Sequence, residues 1–313
     1  MLSRPAQCVY RTWVADSRHW DKYLPRHGDI IVATYPKCGT TWMQQIVRLL
    51  ISKSPMPAAI PENSPRIDRR SLSSIESMIA SIERQEGRRS LKSHLPLDGL
   101  PVYDEVNYIY VARDGRDACM SYHNHCTGFS QAALGMLDAI GLADPTIGAA
   151  FPRAPTDPAD FFHEWVGRGV SEKQRDGWPY VSFLHFVRTF WSERSRPNIL
   201  LVHYNDLKAN LAGEMRRIAD FLHIVIPEAL WPSLVDAASF EAMSRDGAVL
   251  LSGLTDMFDG GAERFFFRGN NRRWEGVFRD DDLAHYAANV DNMLSRECAH
   301  WLAHGCAGID VKG

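Results

Sequence analysis

The feature that most constrains the fold is an apolar run followed by a tight loop and a helical pattern, all within residues 28–52. The run DIIVAT (residues 29–34) lies between Gly28 and Tyr35-Pro36, as expected for a buried strand. From Thr40 the sequence TTWMQQIVRLLIS repeats apolar residues at helical spacing. The sequence therefore predicts a strand, a loop and a helix in immediate succession.

Further strand candidates are residues 90–93, closed by His94-Leu95-Pro96, the short apolar run 106–111, and residues 199–203; residues 117–125 have a helical pattern. Strands that alternate with helices are typical of an α/β protein whose parallel sheet carries helices on both faces. We predict a single domain over residues 1–313, with a central parallel sheet flanked by helices.

Two segments, residues 127–158 and 245–274, show no clear element. The first is rich in Gly, Ala and Pro, and we expect a long loop that forms a lid or insert. The second contains Arg264, Arg268, Arg272 and Arg273 among five glycines. We expect this segment to be mobile on its own and to close over a bound ligand.

Composition excludes several classes of protein. Of the 313 residues, 45% are hydrophobic and 23% charged, with a formal net charge of -3. This balance is that of an ordinary globular enzyme and not of a nucleic-acid-binding protein, so any anionic ligand needs a local cluster of positive groups. The six cysteines have no repeated spacing, and no signal peptide or membrane span is recognisable. We expect a soluble, cytoplasmic protein with free thiols.

The predicted loop reads YPKCGTTW over residues 35–42. In open α/β sheets ligands lie beyond the carboxyl ends of the strands, and a loop that opens a helix presents backbone N–H groups to an anion. Gly39 permits close approach of the backbone, Thr40 and Thr41 add hydroxyls, and Lys37 adds charge. The pattern predicts a phosphate cradle. It differs from the G-x-x-x-x-G-K-[ST] loop, because the first glycine is absent and the lysine precedes the glycine. An ordinary turn with a lysine at its rim is the alternative.

YPKCGTTW resembles the YPKSGTTW phosphosulfate loop of the cytosolic-type sulfotransferases, with Cys38 in place of serine. Other blocks follow in the family order: KSHLP (92–96), VARDGRDACMSY (111–122), YNDLK (204–208), SFEAM (239–243) and FFRGNNRRWEGVF (266–278). Together they cover roughly residues 28–280. The last block departs from the family pattern, with Phe267 in place of an arginine and Arg272-Arg273 in place of Gly-Asp.

This resemblance implies a P-loop-like fold and transfer of a sulfuryl group from 3′-phosphoadenosine 5′-phosphosulfate (PAPS) to a hydroxyl or amine of a small, apolar or aromatic acceptor. Adenosine 3′,5′-bisphosphate (PAP) would be released, and no metal would be required. The resemblance implies His94 as general base, with Lys37 and Lys92 stabilising charge. The residues that it assigns to the nucleotide are Lys37, Cys38, Gly39, Thr40, Thr41, Trp42, Arg113, Ser121, Tyr204, Phe240, Arg268 and Gly269.

Two other functions remain open from the residues alone: a P-loop nucleotide kinase or phosphotransferase, and a non-catalytic nucleotide-binding protein of the same fold. For Arg113 the alternative role is a surface ion pair with Asp117, and for Trp42 it is core packing. His123, His125 and Cys126 lack the spacing of a zinc site, so we expect them to face the acceptor pocket or solvent. No nucleic-acid or membrane partner is expected, and a monomer and a homodimer are both open. Residues expected near the acceptor are Phe129, Phe151, Phe161, Phe162, Trp178, Phe183 and Met257.

Overall fold

The computed structural model describes residues 1–70, 74–171, 174–266 and 269–306. Arg268, which the sequence assigns to the nucleotide, lies outside the described residues. The strands within them are β1 (Leu2–Arg4), β2 (Ile30–Thr34), β3 (Ser90–Ser93), β4 (Val102–Tyr103), β5 (Asn107–Ala112) and β6 (Ile199–His203). Strands β3, β2, β5 and β6 form a parallel sheet in that order, while β1 and β4 pair in an antiparallel ribbon.

The α-helices within the described residues are α1 (Thr40–Ser52), α2 (Ile60–Asn63), α3 (Ile75–Glu83), α4 (Gly115–Cys126), α5 (Gln131–Ala143), α6 (Pro158–Gly167), α7 (Phe183–Trp191), α8 (Tyr204–Ala209), α9 (Leu211–Phe221), α10 (Trp231–Ala237), α11 (Phe240–Arg245), α12 (Gly247–Leu250), α13 (Gly261–Phe265), α14 (Asp280–Met293) and α15 (Arg296–His304). Short 3₁₀ helices span Ser17–Lys22, Leu97–Gly99, Glu228–Leu230 and Thr255–Met257.

The sheet separates two apolar layers, because successive side chains of a strand point to opposite faces. On β2, Ile30 and Val32 pack in one core cluster with residues of α1 and α9, whereas Ile31 and Ala33 pack in the other with residues of α4 and α7. The predicted α/β class, with a central parallel sheet flanked by helices, is confirmed.

The expectation of a long loop over residues 127–158 is wrong for Gln131–Ala143, which form α5. The Ser130 side chain caps this helix by accepting a hydrogen bond from the Ala133 N–H, and Leu137 and Ile140 are buried. Gly141, which looks like a loop signal, lies where the chain packs closely: an added Cβ would come within 2.2 Å of the Ala149 carbonyl oxygen. Residues 245–266 likewise contain short helices, α12 and α13, in place of a structureless loop.

Candidate active site

The parallel strands β2, β3 and β5 end at one edge of the sheet, and a cavity of about 370 Å³ opens there. The loop after β2, the end of β3 with the residue that follows it, and the second half of α4 supply part of its walls. The sequence-predicted residues that line it are Lys37, Gly39, Thr40, Thr41, Trp42, Lys92, His94, Arg113, Ser121, Tyr204, Phe240 and Gly269. The structure therefore brings these residues together, although they are spread over most of the chain.

The loop after β2 follows a path that only certain residues adopt. Gly39 caps α1 with φ 105° and ψ 20°, a left-handed conformation that favours glycine. An added Cβ at Gly39 would lie 3.1 Å from the Tyr204 ring. Lys37 also has a positive φ, of 71°. The first turn of α1, whose N–H groups have no carbonyl partner within the helix, thus borders the cavity through Thr40 and Thr41.

Cys38 is the one residue, among the described residues assigned to the nucleotide, that does not line this cavity. The thiol is fully buried in the core cluster beneath the sheet, and burial raises its pKa to about 12. Its backbone N–H donates to the Tyr35 carbonyl at 3.3 Å. The thiol is therefore a neutral packing group. The positive φ of Lys37 sets the direction of the chain here and turns the Cys38 side chain inward.

The two lysines lie in an environment with little negative charge. Burial, followed by the nearby Arg113, lowers the pKa of Lys37 to about 8, and its Nζ is 4.3 Å from the centre of the Phe265 ring. Burial, followed by Arg66, lowers the pKa of Lys92 to about 7. Among the described residues that line the cavity, Glu241 is the one carboxylate. A bound anion would therefore stabilise the protonated form of both lysines.

His94 is held by the main chain. Its Nδ1 donates to the Thr34 carbonyl at 2.8 Å, and because a carbonyl oxygen can only accept, Nδ1 carries the proton. Nε2 is left with a lone pair. The carbonyl of His94 accepts a hydrogen bond from the Tyr180 hydroxyl at 2.7 Å. Burial, Lys92 and Arg66 lower the pKa of the imidazole well below its usual value, so the ring is neutral at pH 7.

Arg113 connects the cradle with the segment that contains Gly269. Its guanidinium donates to the Asn271 side-chain oxygen at 2.7 Å and to the Lys37 carbonyl at 3.3 Å, and it lies 4.3 Å from the centre of the Tyr204 ring. In the described part of the chain Arg113 forms no ion pair with Asp117, whose carboxylate accepts from the Arg272 backbone N–H. The surface ion pair considered above is therefore absent.

Aromatic rings form the far end of the cavity. Trp42 and Tyr204 meet edge to face with ring centres 5.3 Å apart, and the Trp42 indole N–H donates to the Ala238 carbonyl at 2.7 Å. Trp42 thus packs against the core cluster and lines the cavity at the same time. Gly269 has φ 63°, and an added Cβ would lie 2.8 Å from the Phe240 ring. Gly269 and the Phe240 ring therefore lie in close contact on this part of the cavity wall.

A second cavity, of about 340 Å³, shares Lys92, His94, His125 and Phe265 with the first. Of the residues expected near an acceptor, Phe129, Phe151 and Met257 line it. Phe161, Phe162 and Phe183 are buried in the core instead, and Trp178 packs against that core and the Arg168 guanidinium. His94 therefore stands between two adjoining cavities.

The histidines after Ser121 have different surroundings. His125 lines both cavities and packs edge to face against Phe129, with ring centres 4.9 Å apart. The His123 ring lies 2.9 Å from the Pro155 carbonyl oxygen and lines neither cavity, and Cys126 is buried. Within the described ranges, no group of three or more His, Cys, Asp or Glu side chains is arranged to hold a metal ion.

The sequence reasoning missed several residues of these walls. Asn271 positions Arg113, and Lys208 donates to the Gly269 carbonyl at 3.0 Å. Arg66, Arg69 and Arg70 line the second cavity. The only local signal for these arginines is the basic cluster RIDRR (residues 66–70), and this cluster does not indicate which part of the protein its side chains contact.

Comparison with known proteins identifies the family. The chain matches the family model of the sulfotransferase domain over residues 27–295. It is 32% identical to a glycolipid sulfotransferase of Mycobacterium tuberculosis, over 96% of this chain and 96% of the relative. It is 26% identical to sulfotransferase 1B1 of Mus musculus, over 88% of this chain and 85% of the relative.

Solved structures agree with this at the level of fold. Retinol dehydratase in complex with androsterone and PAP has a TM-score of 0.66 and 22% identity, over 89% of this chain and 84% of that one. Mouse sulfotransferase SULT7A1 complexed with PAP has a TM-score of 0.65 and 17% identity, over 91% and 92%. No helix in the described residues is long and apolar enough to cross a membrane. The chain belongs to the sulfotransferase family and is a transferase that moves the sulfuryl group of PAPS to an acceptor.

Proposed function

We propose that His94 is the general base of this sulfuryl transfer and that the two cavities divide the substrates between them. The observation that carries the proposal is the Nδ1 contact with the Thr34 carbonyl at 2.8 Å, since it leaves Nε2 as the acceptor of a proton. His94 lines both cavities, so a group in either one can reach the imidazole. A neutral imidazole at pH 7 has the protonation state that a base requires.

The first cavity is proposed to hold PAPS. The cradle of Gly39, Thr40 and Thr41 with Lys37 suits the phosphosulfate group, because backbone N–H groups and a helix N-terminus bind anions. Arg113 and Ser121 suit the 3′-phosphate, which a planar guanidinium can bind through two hydrogen bonds. The residues proposed to contact adenine are Trp42, Tyr204 and Phe240, and Gly269 lets Phe240 pack closely. Arg268 is proposed to contact the 3′-phosphate from sequence alone.

Separate side chains accept the proton of the acceptor and stabilise the negative charge of the departing group. His94 Nε2 takes the proton of the acceptor hydroxyl while the acceptor oxygen bonds to sulfur and the bond to the bridging oxygen breaks. Lys37 and Lys92 supply positive charge where negative charge develops on the departing oxygens. Their low pKa values reflect burial without a carboxylate partner among the described lining residues, and a bound anion would raise both pKa values and hold both side chains in the charged form.

The second cavity is proposed to hold the acceptor. Its walls are largely apolar, which suits a small apolar or aromatic molecule with a hydroxyl or amine group. Among the similar proteins, one is named for a glycolipid and another was solved with androsterone. We further propose that the chain is a single-domain cytoplasmic enzyme, in line with the absence of a disulfide among its six cysteines, all of them described. A monomer and a homodimer remain the alternatives for its assembly.

The test is turnover and PAP binding of His94→Ala. Loss of a general base reduces the rate by roughly 10²–10⁴-fold, so turnover with labelled PAPS and a phenol should fall by that factor while PAP affinity stays near normal. His123→Ala is the matched control, because His123 also contacts a backbone carbonyl but lines neither cavity. Near-normal turnover in His94→Ala would refute the role of His94. No turnover by the unaltered protein, with PAP still bound, would show that this phenol is not an acceptor, and the comparison would then be repeated with another apolar alcohol.

A further inference from the structure

The wall of the second cavity carries more positive charge than its apolar lining requires. Arg66, Arg69 and Arg70 all line it, together with Lys92. None of the described residues that line this cavity is an Asp or a Glu. A neutral apolar acceptor would have no use for three guanidinium groups, so each arginine needs an explanation from its own contacts.

Two of the three arginines, Arg66 and Arg70, pair with carboxylates that do not line the cavity. Arg66 forms an ion pair with Asp68 and donates to the Tyr180 hydroxyl at 3.3 Å. Arg70 lies 2.8 Å from the Asp144 carboxylate. Asp68 and Asp144 are both fully buried at their side chains. These two pairs hold the segment in place, and Asp144 also pairs with Arg11 at 2.7 Å.

Arg69 differs from both. Within the described residues its side-chain contact is a hydrogen bond from Nη2 to the Met257 sulfur at 3.6 Å, and it has no carboxylate partner. A thioether is a weak acceptor, so most of the donor capacity of this guanidinium is unused. Burial and the nearby Arg66 lower the pKa of Arg69, although a guanidinium stays charged at neutral pH.

The position of Arg69 is fixed by the fold. Its backbone forms a β-bridge with Ala15, while Arg66, three residues earlier, forms a bridge with Lys92 of β3. The arginine therefore belongs to a segment pinned to the sheet edge near Lys92 and His94. A half-buried cation without a partner is unfavourable unless a ligand supplies an anion.

We propose that Arg69 binds an anionic group of the acceptor that is separate from the hydroxyl that is sulfated. The acceptor class is then amphipathic: an apolar body with a hydroxyl near His94 and a carboxylate or phosphate group at Arg69. This inference rests on the proposed use of the second cavity for the acceptor. A planar guanidinium suits both anions, because its donors match two oxygens at once.

The experiment uses 4-alkylphenols of equal length that end in a carboxylate, a phosphate monoester or a methyl group, each in two chain lengths. Turnover with PAPS and calorimetric binding to the PAP-loaded enzyme are measured for the unaltered protein, Arg69→Gln and Arg69→Lys. Arg69→Gln should raise KM and Kd for an anionic probe roughly 10- to 100-fold, the range for a charge-assisted hydrogen bond, and change the methyl probe by less than about twofold. Arg69→Lys should restore part of the preference for anionic probes over the methyl probe. The anionic probe that binds more tightly to the unaltered protein shows whether the acceptor carries a carboxylate or a phosphate.

Arg245→Gln is the matched control, because this exposed arginine lines neither cavity and should leave every probe unchanged. PAP affinity and Tm check that Arg69→Gln is folded. If the methyl probe is sulfated as well as the anionic ones and Arg69→Gln alters neither, the inference is wrong and the sulfotransferase assignment stands. If anionic probes bind through Arg69 but none of the probes is sulfated, Arg69 binds anions but the proposed use of the second cavity for the acceptor is wrong.

Discussion

The low pKa of Lys37 predicts that PAP affinity falls at alkaline pH. Burial and Arg113 lower this pKa to about 8, so the side chain loses its proton within the range in which the enzyme can be assayed. Only the protonated amine attracts the phosphate. A bound anion favours that form and raises the pKa of Lys37 in the complex. Raising the pH above 8 must therefore weaken binding.

The size of the effect follows from the titration. A group with a pKa of about 8 is roughly nine-tenths protonated at pH 7 and roughly one-tenth at pH 9. Between the pKa of the free protein and that of the complex, Kd should rise about tenfold per pH unit. The phosphates of PAP affect only the acidic part of the pH profile of Kd, because their second pKa is about 6. Measurements from pH 7 to 9.5 therefore report the titration of groups on the protein and not of PAP.

The assay is calorimetric titration of PAP in the Lys92→Met background, because Lys92 has a pKa of about 7 and would add its own slope. Lys37→Arg in the same background should give a flat profile, since a guanidinium stays charged throughout. The slope, and not the absolute affinity, is compared between the two variants. A flat profile with Lys37 in place, or an undiminished slope with arginine, would refute the assignment.

Two further predictions concern the cradle and its neighbour. Arg113→Gln should weaken the binding of PAP by roughly 10- to 100-fold and leave the binding of adenosine 5′-monophosphate nearly unchanged in the same titration, because only PAP carries a 3′-phosphate. Equal weakening of both ligands would show that Arg113 does not contact the 3′-phosphate. Gly39→Ala should destabilise the protein by about 1–3 kcal/mol, which lowers Tm by roughly 2–4 °C per kcal/mol, since φ is 105° and the new Cβ would press on Tyr204. An unchanged Tm in a thermal scan would contradict that reasoning.

Much of the fold was predictable because its signals are local. Strands β2, β5 and β6 are short, largely apolar runs, and the predicted bounds of β3 and β6 agree with the structure. The site followed from the fold, since the loops after parallel strands meet at one edge. His94 and Lys92 could be placed there from their position directly at the end of β3.

The features of the fold and the site that the sequence did not predict depend on contacts between residues that are distant in the chain or on backbone conformation. Gly141 lowers the helical appearance of α5, yet it is required by the close approach of the Ala149 carbonyl. The direction of Cys38 depends on the backbone of Lys37, which has a positive φ that its residue type does not suggest. Arg69 meets Met257 from a distant part of the chain, so the sequence could not reveal which arginine lacks a carboxylate.

The contact between His94 and the Thr34 carbonyl has a consequence for heat inactivation. The group that orients the base belongs to the main chain, so substitution of the Thr34 side chain leaves it in place. It is lost when β3 separates from β2. Strand β3 is an edge strand, and within the described residues its other side pairs along the backbone through residues 65 and 66. Outer strands open locally at lower free energy than a whole domain unfolds. On heating, activity should therefore disappear reversibly before the bulk of the sheet melts.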